Sequence, residues 1–172
     1  MTVSLYTVSA PIFVQMLQSM SAILDKTAAH IEARKLDPSF FLNMRLAPDM
    51  FPFVRQVRAV TGHAVGGVGR LAGVDLPSFS DDETSIAELQ ARIVKAIDFI
   101  KGIRRDQVDG QEGREVVMKF ASGERKFTGE GYLLNFALPN FYFHHTTAYD
   151  ILRHCGVEIG KRDFMGTPVT LG

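Results

Sequence analysis

The sequence has one cysteine, Cys155, in 172 residues. A single thiol excludes an internal disulfide and any zinc site built mainly of thiolates. The chain also lacks an excess of either charge, with 19 Lys and Arg against 19 Asp and Glu. A zero balance argues against a dominant nucleic-acid or acidic-lipid surface, because such partners demand surplus cations. Arg55, Arg58 and Arg70, with His63, form the only suggestion of a basic stripe. No apolar run approaches the roughly 20 residues that span a bilayer, and the opening MTVSLYTVSAPIF carries no basic leader. The expectation is a cytoplasmic protein without a membrane partner. Nucleotide and nucleophile signatures are missing too: there is no G-x-S-x-G and no P-loop. The run Gly62-x-x-x-Gly66-Gly67-x-Gly69 lies inside a helical pattern and follows no strand, so it makes a poor phosphate cradle.

What is present is the composition of one soluble domain spanning residues 1–172, 46% hydrophobic and 22% charged. A chain of this size removes roughly 70% of its unfolded surface on folding and needs no staple. Phe13, Met16, Leu17, Met20, Ile23, Leu24, Thr27 and Ile31 recur at steps of three and four, predicting a first helix from about Leu5 to about Arg34. It ends before Leu36-Asp37-Pro38, since a residue preceding proline is pushed out of the helical region. An aromatic connection follows to Pro48, with Asp49 as the expected N-cap of a second helix and Pro52 inside its first turn. Val54, Val57, Thr61, Ala64, Val65, Val68 and Ala72 mark that helix's apolar face. Its glycines each cost about 1 kcal/mol of helix propensity relative to alanine, for which close approach of another helix is one compensation. Ser85-Ile-Ala-Glu88 is a capping box that opens a third helix, with Ile86, Leu89, Ile93, Ala96, Ile97, Ile100 and Ile103 inward. Arg114–Phe120 and Glu124–Thr128 flank Ala121-Ser-Gly123 as a β-hairpin. A lone hairpin is marginal in water, so it must lie on the helices or pair with another chain. The fourth helix begins near Pro139 and ends at Gly156. A tail follows, with Phe164 and Met165 expected to pack back on the body. The fold class is therefore mainly all-α: a four-helix bundle with a short hairpin inserted between helices 3 and 4.

Five histidines are the material for a metal site. At about 100° per residue, His63 points roughly 160° from Thr61 and is expected toward solvent or a partner chain. His144 and His145 project into or beside the bundle interior, with His144 nearer its centre. Neighbours on a helix diverge by about 100°, so they do not act as an i, i+4 pair, and Ala148 stands where a second imidazole would follow His144. Cys155, inward at a helix C-terminus, reads as packing, because that end raises a thiol's pKa. A second cluster joins Asn43-Met-Arg45-Leu-Ala-Pro-Asp49 to Asn140-Phe-Tyr-Phe-His144. Polar groups among aromatics where loops meet helix ends are the usual make-up of a bundle pocket. Arg45, Asp49, Tyr142 and His144 are its candidate ligand-binding residues. On the plainer reading Arg45 and Asp49 pair to fix the loop and Tyr142 is surface.

Four stretches carry a resemblance: Arg45-Leu-Ala-Pro-Asp-Met-Phe-Pro52, Arg70-Leu-Ala-Gly-Val-Asp-Leu-Pro77, Asn140-Phe-Tyr-Phe-His144 and Leu152-Arg-His-Cys-Gly-Val-Glu-Ile-Gly-Lys161. They resemble, in order and with matching gaps over nearly the whole chain, a bacterial family described as a domain of unknown function. It is grouped with the DinB/YfiT-like four-helix bundles. The resemblance implies a DinB-like bundle, frequent homodimerisation, and a superfamily metal site of one histidine on helix 2 and two spaced H-x-x-x-H on helix 4. Carried over, His144 matches the first histidine of that pair, Ala148 replaces the second, and His63 lies on the matching helix. Two expectations follow. The first is a small-molecule-binding or homodimeric module with a degenerate metal site and no cofactor. The second is a divalent-metal-dependent transferase or hydrolase, with zinc or nickel on His144, His145 and His63.

Overall fold

A computed structural model describes residues 3–168. Four long helices make the bundle: α1 (Ala10–Arg34), α3 (Phe53–Ala72), α4 (Ile86–Lys101) and α7 (Leu138–His154). Short helices α2 (Pro38–Asn43), α5 (Arg105–Val108), α6 (Gly129–Tyr132) and α8 (Lys161–Met165) join or flank them. The mainly helical, DinB-like bundle with its inserted hairpin is as the sequence indicates. α3 is the central member, packed on α4 and α7, and α1 packs chiefly on α4. Of the consecutive bundle helices, α3 and α4 are neighbours, whereas α1 packs little on α3 and α7 packs on α3 instead of α4. No described helix is long and apolar enough to cross a membrane.

Local chemistry sets the element ends. α1 starts at Ala10, later than its periodicity suggests, because Pro11 fits only the first turn of a helix. Leu5 is nonetheless buried in the turns that precede it. Lys35, in the left-handed conformation, closes α1. The connection holds a helix that the pattern does not announce: Asp37 accepts from the Ser39 amide at 2.8 Å, capping α2, which is too short for a periodicity to emerge. Pro52, not Asp49, is the N-cap of α3, and Asp49 sits in the preceding turn. Proline has no side-chain acceptor, so α3 starts without a side-chain cap. Gly73, left-handed, closes α3, and the Val74 amide reaches back to the Gly69 carbonyl. The Ser85/Glu88 capping box on α4 forms as expected.

The glycines of α3 do not break it. Thirteen of its side chains or glycines are buried, and a Cβ at Gly67 would stand 2.8 Å from the Phe13 ring of α1. The hairpin, β1 (Val116–Phe120) and β2 (Gly123–Phe127), lies on the helices. Phe127 and Phe120 both meet Phe136, and Phe127 also meets Tyr132. Gly123 pairs with Phe120, so the turn itself is Ala121–Ser122. The helical run that carries α7 begins well before Pro139: α6 passes through a π-helical turn, Leu133–Ala137, directly into α7. At the other end Phe164 packs on His145 and Tyr149, while the Met165 side chain stays exposed.

Candidate functional site

The site is built where the loop leading into α3 meets α7. Arg45 donates to the Met50 carbonyl and so ties the two ends of that loop together; it makes no ion pair with Asp49. Phe51 then leaves the loop with its ring parallel to that of His144, centroids 6.1 Å apart and planes at 7°. His63 lies parallel to His144 as well, at 5.5 Å and 11°. Asp49, Met50, Phe51, Gln56, Phe143 and His144 line a groove of about 230 Å³. A cavity of about 150 Å³ accommodates one benzene ring, so the groove has room for a single ring with a polar substituent.

Gln56 decides the state of His144. Its side-chain amide donates to the Phe51 carbonyl at 3.0 Å, and a carbonyl can only accept. The amide nitrogen therefore faces Phe51 and the amide oxygen faces the imidazole. The ring supplies the hydrogen: His144 Nδ1–H donates to Gln56 Oε1 at 2.7 Å. The neutral imidazole is thus fixed as the Nδ1–H tautomer, with Nε2 as its acceptor. Burial pushes the His144 pKa below its ordinary value. His63 is held down to about 4, first by burial and then by the neighbouring His144 and by Arg70. Both rings are neutral at neutral pH, which is why they can lie against one another.

Of the sequence candidates, Asp49 and His144 come together in the groove. Arg45 is exposed and supports the loop from outside the lining. Tyr142 is 38% exposed, edge-on to Phe141, outside the lining as well, and burial raises its pKa. His63 is partly buried against His144 and Phe136 and is not turned out to solvent as the periodicity suggests. α3 is covered on two sides, and its glycines, which carry no hydropathy signal, hide the breadth of its buried arc. His145, not His144, is the interior histidine: it is 0% exposed, and its Nε2–H donates to the Met16 carbonyl of α1 at 3.0 Å. It therefore stands on a different side of α7 from the groove. Gln56, 1% exposed, is the residue that periodicity passes over. A polar side chain at a core position was its available signal.

The donors do not assemble a three-ligand metal centre. Among the described residues, no group of three His, Cys, Asp or Glu side chains is placed to hold one ion. His63 touches Phe136 and His144, one turn either side of Asn140, so the third place on that face belongs to an amide that donates to the Phe136 carbonyl. Ala148 lies a turn beyond His144 in the other direction. Burial raises the pKa of the Cys155 thiol, the reverse of what a thiolate nucleophile requires.

The comparisons agree with this architecture. No curated protein matches the chain. A solved structure, described as a DinB family member protein from Shewanella denitrificans, is 37% identical, with a TM-score of 0.91. The match covers 98% of this chain and 95% of that one. The family model described as a domain of unknown function, DUF1993, matches residues 5–165. The chain belongs to the DUF1993 family, within a DinB-like fold.

Proposed function

We propose that the chain is a small-molecule-binding module whose ligand, a single ring bearing one O–H or N–H donor, lies in the groove between the 44–52 loop and α7. The relay Phe51 carbonyl, Gln56 amide, His144 imidazole carries this reading, because it prepares one uncharged acceptor in a mostly apolar groove. His144 Nε2 accepts the ligand's hydrogen, Phe51 and Phe143 enclose the ring, and Asp49 stands at the rim. Arg45 holds the loop in place, and Tyr142 flanks the groove on α7. Phenol, which has one ring and one donor, is the probe. Its titration is expected to shift the Met50 methyl and His144 ring resonances saturably, with the Met50 response lost in His144→Phe. Phenol shifts scattered over the surface, or unchanged by that substitution, would sink the reading.

Two further readings rest on specific observations. The parallel pair His63 and His144 is the remnant on which a divalent-metal transferase or hydrolase would depend. Two imidazoles and an amide do not fit the three-ligand set such a site uses. Stoichiometric zinc or nickel in purified protein, lost in His144→Ala, would overturn the metal-free reading. Phe143 and Phe51, 56% and 41% exposed beside the groove, are the surface on which a second copy of the chain would sit. Sedimentation of wild type and Phe143→Ser tests that homodimeric form.

A further inference from the structure

A second cavity, of about 380 Å³, shares Phe51 with the groove but none of the groove's other lining residues. Phe51, Arg55, Arg58, Gly62, Asp81 and Arg92 line it. Two guanidiniums, of Arg58 and Arg92, converge there on two carboxylates, and the carboxylates are held very differently. Glu83 lies behind the lining with its side chain 8% exposed, and takes Arg58 Nε at 2.6 Å and Arg92 Nη1 at 2.7 Å. Hydrogen bonds from both arginines keep it fixed. Asp81 has its side chain 63% exposed and makes a single 2.7 Å contact, to Arg92 Nη1. Its backbone sits at φ 56°, a left-handed conformation that few non-glycine residues adopt. Arg55 has no carboxylate partner among the described residues; its guanidinium lies 3.9 Å over the Phe51 ring. With Asp81 in place the five groups carry one surplus positive charge, and with Asp81 swung out they carry two. Gly62 leaves the floor open, since a Cβ there would meet nothing within 4 Å.

We propose that this cavity binds the carboxylate of a small organic acid, and that Asp81 is the internal carboxylate it displaces from Arg92. Asp81 is already mostly in water, so releasing it costs little desolvation, and leaving relaxes its backbone. The incoming carboxylate takes the freed Arg92 hydrogen and the unused donors of Arg55 and Arg58, while Phe51 packs against the organic part. Phe51 in the lining gives an organic acid a contact that inorganic phosphate lacks. The cavity shares only Phe51 with the His144 groove, so the inference stands whether or not that groove binds phenol.

Benzoate, inorganic phosphate and chloride, titrated at constant ionic strength into the whole chain, test it through the arginine Nε–H and backbone amide resonances. Benzoate is expected to shift Arg58, Arg92 and Gly62 saturably and to leave these shifts intact in His144→Ala. Asp81→Asn removes the internal competitor and tightens benzoate binding about threefold or more. Arg55→Gln weakens it about tenfold. Both variants alter exposed or unpaired groups and keep the Glu83 pairing, so folding is preserved. Equal shifts with chloride, tighter binding of phosphate than benzoate, benzoate shifts confined to Met50 and His144, or an Asp81→Asn affinity equal to wild type would each overturn the proposal.

Discussion

Gly67 of α3 lies flush against Phe13 of α1, so close that a methyl group at residue 67 would stand 2.8 Å from two ring carbons. Phe13 cannot swing aside, because it is 0% exposed and its ring meets Phe141 edge-on at 4.8 Å. Gly67→Ala is therefore expected to cost about 1–3 kcal/mol through overpacking. Gly62, five residues earlier on the same helix, has open space where its Cβ would be. Gly62→Ala should stabilise by up to about 1 kcal/mol, through helix propensity and a less flexible unfolded chain. Urea midpoints of the two variants check the contrast, and shifts of the same sign would refute it.

The Gln56 relay predicts a tautomer. Long-range nitrogen–proton spectra at neutral pH should show His144 protonated at Nδ1 and bare at Nε2. In Gln56→Leu the acceptor is gone and the ring should move toward the Nε2–H form, with the phenol response falling in step. A wild-type ring protonated at Nε2 would remove the physical basis of the groove.

Acid should destabilise the fold over a defined window. Burial holds His145 at about 4, and its Nδ1 has no hydrogen-bond partner among the described residues. His63 is held at about 4 by burial, with His144 and Arg70 adding to it. In the unfolded chain both titrate near 6.5. Below about pH 6.5 the unfolded state takes up protons that the folded state refuses, so stability falls as pH drops and levels off near pH 4. Above that window it is flat. The two groups together account for on the order of 2–4 kcal/mol, with His63 contributing less because its ring is partly solvated. Urea unfolding at pH 7.5, 5.5 and 4.5 measures the slope, and His145→Leu should remove the larger share. An unchanged slope in that variant would show that other groups set it.

Glu83 is the keystone between two arginines. Burial alone would raise its pKa, but the hydrogen bonds from Arg92 and Arg58 outweigh that and hold it below the usual carboxylate range. Glu83→Gln leaves two cations facing one another, and is expected to cost about 3 kcal/mol. Replacing Glu83 and its most buried partner together, as Glu83→Leu with Arg92→Leu, should recover part of the loss, because only the partly exposed Arg58 is then left without its carboxylate. Thermal unfolding of the single and double variants completes the cycle. A double variant no more stable than Glu83→Gln would argue against a stranded charge as the cause.

What the sequence conveys tracks the reach of each signal. The α4 capping box and isoleucine stripe are local and periodic, and both appear as read. α2 is too short to show a period and depends on the Asp37 cap. Periodicity directs His63 toward solvent or a partner chain because it makes the helix look one-sided, whereas glycines that carry no apolar signal widen the buried arc of α3. Asp49 and His144 could be associated from composition around loop and helix ends. Gln56 and the Arg55–Phe51 contact could not, because they depend on how the loop folds over α3.

The π turn at Leu133–Ala137 has a bearing on phase. In an unbroken α-helix, about 100° per residue would leave Tyr132 and His144 facing directions roughly 120° apart. A π turn absorbs one residue without advancing the helix, which brings the two to within roughly 20°. Both then address α3: the Tyr132 hydroxyl accepts from Arg70 at 3.0 Å, and His144 donates to Gln56. The turn acts as a vernier between the hairpin end and the groove end of one continuous helix. Deleting a single residue there should rotate one end out of register with α3 and leave the other in place.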